Sequence, residues 1–239
     1  MERVAVYAGT KEVYGPMYTS MKSLMINTRM DRVYLITDGT AFPYEVPGNV
    51  RVLDASGQGF FPEGSANMNS PYTYMDMLRC ALGEIFPAEK RMLWLDVDVI
   101  VREDIGELFD LDMENSLVAA TVEPQNCNRL FRYVNTGVTL HNLELLRKLG
   151  TEHEMIWQLN HTKFGWPGQD AICLCCQGRI HEISSTYNSS RWVQPCRNPK
   201  AIHYAARSDY MNEPEYKKYE AMRMEGKKDG FPRGNNETS

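Results

Sequence analysis

The sequence predicts an α/β protein whose mostly parallel central sheet is flanked by helices, with a mixed C-terminal portion. Three observations predict it. Before residue 110, short β-branched or aromatic runs alternate with segments of helical periodicity; the runs lack strict polar alternation; and beyond residue 110 the order of elements becomes irregular. Strands alternating with helices are joined by right-handed crossovers, and a parallel sheet covered on both faces carries apolar residues at successive positions.

The strands are "RVAVYAG" (3–9), "RVYLIT" (32–37), "VRVLDA" (50–55) and "RMLWLDV" (91–97), each ending near turn or polar residues. Between the first two, Met17, Met21, Leu24 and Met25 recur at helical spacing, as do Met75, Leu78, Leu82 and Ile85 in "YTYMDMLRCALGEIF". Farther on, "LVAAT" (117–121) and "YVNTGVTLHN" (133–142) read as strands, and "LELLRKL" and "EHEMIWQLN" as helices. Helix resumes in "GQDAICLCCQG", with Gly178 as its C-cap. From residue 224 the chain has few apolar residues and many breakers, so residues 1–223 are expected to form one domain and 224–239 a frayed tail. A chain of 239 residues is long enough to bury a substantial single core.

Composition narrows the function. With 43% hydrophobic residues, 24% charged residues and a formal net charge of −5, the chain reads as an ordinary globular protein with no bias toward nucleic acid. A phosphate-bearing ligand would have to be met by a metal or a few local cations. The start, "MERVAVYAGTK", is not a signal peptide, and no run approaches the roughly 18 apolar residues of a membrane span, so a cytoplasmic protein is expected. The six cysteines are expected to be reduced; "CLCCQG" lacks the paired C-x-x-C spacing of a structural zinc site and reads as core packing.

Chemistry concentrates at "RMLWLDVDVIV", where Asp96 and Asp98 close an apolar run. In an extended segment side chains at i and i+2 face the same way. Two carboxylates about 4 Å apart repel by about 4 kcal/mol at an effective dielectric near 20, which invites a cation. All-oxygen ligation suits magnesium or manganese. In open α/β sheets ligands bind beyond the carboxyl ends of the strands, where this pair falls. The plainer alternatives are a solvated turn or a cap for the next helix.

The chain resembles the family 8 glycosyltransferases, retaining enzymes of the Rossmann-like GT-A fold. The resemblance runs from about residue 3 to 220 through "VAVYAGTKEVYGPMYTSMKSLMIN", "YTYMDMLRCAL", "LWLDVDVIVREDIGELFDLD", "YVNTGVTLHNLELLRK", "GQDAICLCCQGRI", "YN" at 187 and 188, and "AIHYAARSDY". It implies that Asp96, Asp98 and His203 hold a divalent ion bridging a UDP-sugar's diphosphate, and an imidazole beside two carboxylates favours manganese over magnesium. It places Arg79 near the carboxylates and the sugar, and Ala8, Gly9, Thr10, Tyr14 and Val97 on the nucleotide side. Asn135 and Gly137 are expected on a donor-side loop, the amide reading sugar hydroxyls, though a plain turn also explains that glycine. Gln169 and Asp170 align with the family's D-Q-D segment beside the transferred sugar. A neutral amide is a poor nucleophile, so the expected mechanism is front-face transfer with Asp170 positioning the sugar; a helix N-terminal carboxylate is its other reading. The acceptor is an unidentified hydroxyl on a glycan, lipid or protein, with Trp157, Trp166 and Trp192 as either stacking platforms or scaffold.

Three departures stand out. The first strand ends in "AGTKEVY" without the family's acidic base reader, leaving Thr10 and Tyr14 for that contact. The family's H-x-x-G-x-x-K-P-W has become "HYAARSDYM", with Ala206 for glycine, Asp209 for lysine and Arg207 as the substitute cation. Gly168 stands for the first acid of D-Q-D, removing one donor contact. Competing readings are a non-catalytic sugar-nucleotide-binding protein and a sugar nucleotidyltransferase, although the full G-x-G-T-R signature of the latter is missing. A HAD-type phosphatase would have threonine or valine where Ile100 stands.

Overall fold

The computed structural model describes residues 1–70 and 72–222; the tail expected from residue 224 lies outside them. Along the chain run β1 Val4–Ala8, α1 Tyr14–Asn27, β2 Arg32–Thr37, β3 Val50–Asp54, α2 Tyr74–Met77, α3 Leu82–Ile85, β4 Arg91–Leu95 and β5 Val99–Val101. They are followed by β6 Val118–Val122, β7 Val134–Asn142, α4 Leu143–Leu149, α5 Thr151–His161, α6 Pro167–Cys175, β8 Ile180–Glu182, β9 Ala201–His203 and α7 Pro214–Ala221. The main sheet has the order β3-β2-β1-β4-β7-β6-β8. Only β7 is reversed in it, antiparallel to both β4 and β6, while the remaining neighbours pair in parallel. This is the expected α/β class, and the mixed C-terminal portion is the β7 reversal.

Two-residue periodicity divides each central strand between two cores. Ala5 and Tyr7 of β1, with Leu93 and Leu95 of β4, meet Met17, Met21 and Leu24 of α1 on one face. On the other, Val4, Val6, Met92 and Trp94 pack with Leu78, Leu82, Leu146, Met155 and Ile172. That double burial explains the continuous apolar runs in sequence. Within the described residues no helix is long and apolar enough to cross a membrane.

Three local expectations need correction. The stretch "YTYMDMLRCALGEIF" is not one helix but α2, a 3₁₀ turn over Leu78–Cys80, and α3, broken at Ala81, whose φ and ψ are −124° and 16°. The break lets Arg79 turn inward, where it is 4% exposed, instead of lying on a surface helix. The strand expected over 91–97 stops at Leu95, and Asp96 to Asp98 form a turn closed by Val99 N–H donating to Asp96 O at 3.1 Å. Gly178, at φ 74°, lies two residues beyond the α6 cap at Cys176.

The turn leads into a second, two-stranded sheet of β5 and β9. Small polar residues of α1 hold the outer edge of β5: Ser20 Oγ donates to Val99 O at 2.5 Å, Val101 N–H donates to Ser23 Oγ at 2.9 Å, and Asn27 Nδ2 reaches Val101 O at 3.0 Å. Its inner edge pairs antiparallel with β9, with Val99 opposite His203. Tyr204 N–H donates to Asp98 O at 3.1 Å. Thus backbone pairing delivers a residue from far down the chain to the aspartate turn.

Candidate active site

Asp96, Asp98 and His203 meet here, each offering a ligand atom within 4.8 Å of the others. His203 Nε2 lies 3.3 Å from Asp98 Oδ1 and 3.7 Å from Asp96 Oδ2. Asp96 is oriented through its other oxygen: Oδ1 accepts from Trp94 Nε1 at 2.8 Å and from Arg79 Nη2 at 2.9 Å. Arg79 also stacks 4.6 Å over the Trp94 ring and donates through Nη1 to Thr136 O and Oγ1 at 3.0 and 2.8 Å. One oxygen of Asp96 is therefore committed to protein and the other is turned toward the imidazole.

The histidine is fixed from behind. Its Nδ1 faces Asn135 Oδ1 at 2.9 Å and Asn188 Oδ1 at 3.0 Å. Asn135 cannot present its amino group instead, because Nδ2 donates to Oε1 of the buried Glu123 at 2.8 Å. Asn188 Nδ2 is spent on Asn135 O and Oδ1. Two acceptors at Nδ1 place the proton there and leave the Nε2 lone pair directed at the aspartates, the tautomer a metal-binding histidine requires. Burial opposes a charged His203, but Asp98 and Asp96 outweigh it and raise its pKa above the ordinary histidine value. The field that favours a proton at Nε2 equally favours a cation. Burial raises the Asp96 pKa against the pull of Arg79 and His203, whereas at Asp98 the neighbouring imidazole outweighs burial and lowers it.

The donor set fits a divalent ion: two carboxylate oxygens, one oriented imidazole nitrogen and a cleft on the open side. A cleft of about 450 Å³ opens beyond the ends of β1 and β4. Ala8, Gly9, Thr10, Arg79, Asp96, Val97, Asp98, Asn135, Gln169 and His203 all line it. Asp76, Glu123 and Thr136 do so as well, and sequence reasoning missed all three. Asp76 had a readable signal, its i,i+3 spacing from Arg79. Glu123 and Thr136 had none, because their roles depend on partners distant in the chain.

Several expected site residues stand elsewhere or act differently. Asn135 and Gly137 belong not to a loop or turn but to the fully buried strand β7. The Asn135 amide holds His203, and Gly137 is required by that ring: a Cβ there would lie 2.1 Å from His203 Cε1. Asp170 is outside the lining residues. Its Oδ1 accepts from Tyr133 OH at 2.5 Å and its Oδ2 from Trp166 N–H at 2.8 Å, so the helix N-terminal reading of this carboxylate holds. Tyr14 is buried and does not line the cleft, its hydroxyl donating to Asp38 Oδ1 at 2.6 Å. Arg207 is no spare cation, since Nη2 pairs with Glu213 at 2.5 Å and Nε with Asp209 at 3.3 Å. Ala206 keeps a left-handed backbone, with φ 56°, at the position where the resemblance has glycine. Trp166 and Trp192 line the cleft, whereas Trp157 stacks on His161 on the α5 surface.

The architecture is that of the GT-A type. The sequence pattern of glycosyl transferase family 8 matches residues 60–209, and the chain belongs to that family. General stress protein A of Bacillus subtilis (strain 168) is 27% identical over 190 residues, a match covering 71% of this chain and 63% of that protein. A probable galacturonosyltransferase 10 of Arabidopsis thaliana is 36% identical over 63 residues, 26% of this chain and 12% of that one. The chain thus spans less than two thirds of these curated relatives. Among solved structures, the galactosyltransferase LgtC with donor and acceptor sugar analogues superposes with a TM-score of 0.70 at 19% identity, covering 91% of this chain and 95% of its own. The glycosyltransferase GlyE of Streptococcus pneumoniae TIGR4 gives 0.68 at 18% identity, covering 93% and 61%. At such identities the likeness establishes the GT-A fold.

Proposed function

We propose that the chain transfers a hexose from a UDP-sugar to a hydroxyl acceptor with retention of configuration. The observation that carries this reading is the convergence of Asp96, Asp98 and a tautomer-fixed His203 at the mouth of a cleft. These residues would hold manganese or magnesium, which supplies charge neutralisation for the departing diphosphate. Arg79 holds Asp96 in place and adds a fixed positive charge beneath it. Ala8, Gly9, Thr10 and Val97 supply the wall on which the nucleoside lies.

Gln169 bounds the sugar side. Its Oε1 accepts from Thr136 N–H at 3.1 Å, and a neutral amide so engaged offers no nucleophile. Both Asp170 oxygens are committed elsewhere. With neither residue of the family segment offering a nucleophile, the reading adopted is attack by the acceptor hydroxyl on C1 from the face the diphosphate leaves: the acceptor O–C1 bond forms, the C1–O(phosphate) bond breaks, and the hydroxyl proton passes to the phosphate oxygen. Trp166 and Tyr72, with ring centroids 5.1 Å apart, and Trp192 give the cleft aromatic faces suited to a sugar acceptor.

The test is release of UDP from a panel of UDP-sugars with and without manganese. Turnover dependent on the metal is expected, with Asp98→Asn abolishing both turnover and metal-linked thermal stabilisation while Asp110→Asn, an exposed acid outside the cleft, preserves them. A binding-only protein is the second reading, favoured by the pairing of Arg207 with Asp209 and Glu213, which takes up the nearby cation. Donor binding without UDP release from any sugar would establish that reading instead.

A further inference from the structure

The sugar side of the cleft contains a carboxylate outside the Asp96, Asp98 and His203 cluster. Asp76 lies on α2 and lines the cleft beside Arg79, Asp96 and Gln169, its side chain 23% exposed. Each of its oxygens has one protein donor: Arg79 Nη2 to Oδ1 at 2.5 Å, and Gly168 N–H to Oδ2 at 2.9 Å. A carboxylate has about four lone-pair sites, so one on each oxygen remains for a ligand. The group that fits is a hydrogen-bond donor, which on a hexose is an O–H.

Gly168 shows why this carboxylate comes from α2. A Cβ at residue 168 would lie 2.8 Å from both Asp76 Oδ2 and Asp76 O, and 3.0 Å from Arg79 Cδ. The space a side chain at 168 would take is already filled by Asp76 and the turn that carries it. Residue 168 is also where the sequence lacks the first acid of the D-Q-D segment. Arg79 bridges Asp76 and Asp96 through a single Nη2, locking the distance between this acid and the metal ligand.

We propose that Asp76 supplies from α2 the carboxylate that α6 lacks, and that it selects the donor by accepting a hydrogen bond from one hydroxyl of the transferred sugar. This rests on the transferase reading above. A charged acceptor paired with a hydroxyl is worth about 10- to 100-fold in discrimination, whereas an acid serving only to hold Arg79 would affect every donor equally.

The experiment crosses Asp76→Asn with UDP-hexose donors deoxygenated in turn at C2, C3, C4 and C6, reading kcat/KM for UDP release. In the wild type one deoxy donor should lose at least about tenfold; in Asp76→Asn the parent donor should fall by a similar factor and that deoxy donor by no more than about twofold. Asp76→Ser provides the same comparison with a smaller side chain, and manganese-linked thermal stabilisation should persist in both variants, because Asp76 offers no ligand atom and Arg79 keeps its bonds to Asp96 and Thr136. Equal losses across all donors, or none, would overturn the assignment of Asp76 alone. No UDP release by the wild type from any donor would overturn the transferase reading and this assignment together.

Discussion

Gly137→Ala is the sharpest test of how the fold builds the proposed metal site. The new Cβ would stand 2.1 Å from His203 Cε1, 2.3 Å from Nδ1 and 2.8 Å from Nε2. Ordinary contact begins near 3.4 Å, so the ring must retreat by about 1.3 Å. Metal–ligand distances tolerate only about 0.2 Å, and retreat also strains the Nδ1 bonds to Asn135 and Asn188. A loss of about 100-fold in manganese affinity follows, the upper end of what disturbing ligand orientation costs. At a metal concentration about 100 times the wild-type Kd, linkage stabilises the wild type by about 2.7 kcal/mol and such a variant by only about 0.4 kcal/mol. Overpacking adds about 1–3 kcal/mol of destabilisation whether or not metal is present. The measurement is therefore the difference in urea unfolding free energy with and without manganese, after the wild-type Kd is determined by titration. A manganese-linked increment in Gly137→Ala equal to that of the wild type would refute the claim that this glycine exists to seat the histidine.

Two further predictions concern stability. Ala206 is exposed and left-handed at φ 56°, a conformation costing an L-residue about 1–2 kcal/mol. Glycine removes that strain but adds unfolded-state entropy, so Ala206→Gly should stabilise by about 0.5–1 kcal/mol, and a loss of stability in urea would contradict the strain. Glu152, 2% exposed, has its carboxyl pKa pushed by burial to about 7, with Oε1 accepting from Gly83 N–H at 2.6 Å and Oε2 unpartnered. Because the folded pKa lies above the unfolded one, its stabilising effect is complete below about pH 4.5 and is lost as pH rises toward 7, by a total on the order of 3 kcal/mol. Glu152→Gln should therefore gain on the wild type between pH 5 and 8 in urea unfolding, and parallel pH profiles would count against the buried acid.

Much of the framework was legible because its causes are local. The runs ending at Ala8, Thr37, Asp54 and Leu95 fold as strands because their apolar residues serve two cores. The couplet Asp96 and Asp98 was visible as two charges closing such a run, although a turn, not strand periodicity, brings the pair together. The "YTYMDMLRCALGEIF" segment misled because helical spacing persists through its pieces, while the buried demand of Arg79 for Asp76, Asp96 and Thr136 interrupts it.

By itself the sequence determined the alternation of strands and helices, the two-faced burial of the sheet and the acidic couplet at its end. The tertiary structure alone decided which nitrogen of His203 is presented, because that choice passes from Glu123 through Asn135 to the ring across three separate strands or their ends. It likewise decided that Asp170 caps a helix while Asp76 faces the cleft. Both outcomes follow from one physical fact: a polar side chain buried away from water takes its role from whichever donors and acceptors the fold brings within about 3 Å, and those partners have no fixed spacing along the chain.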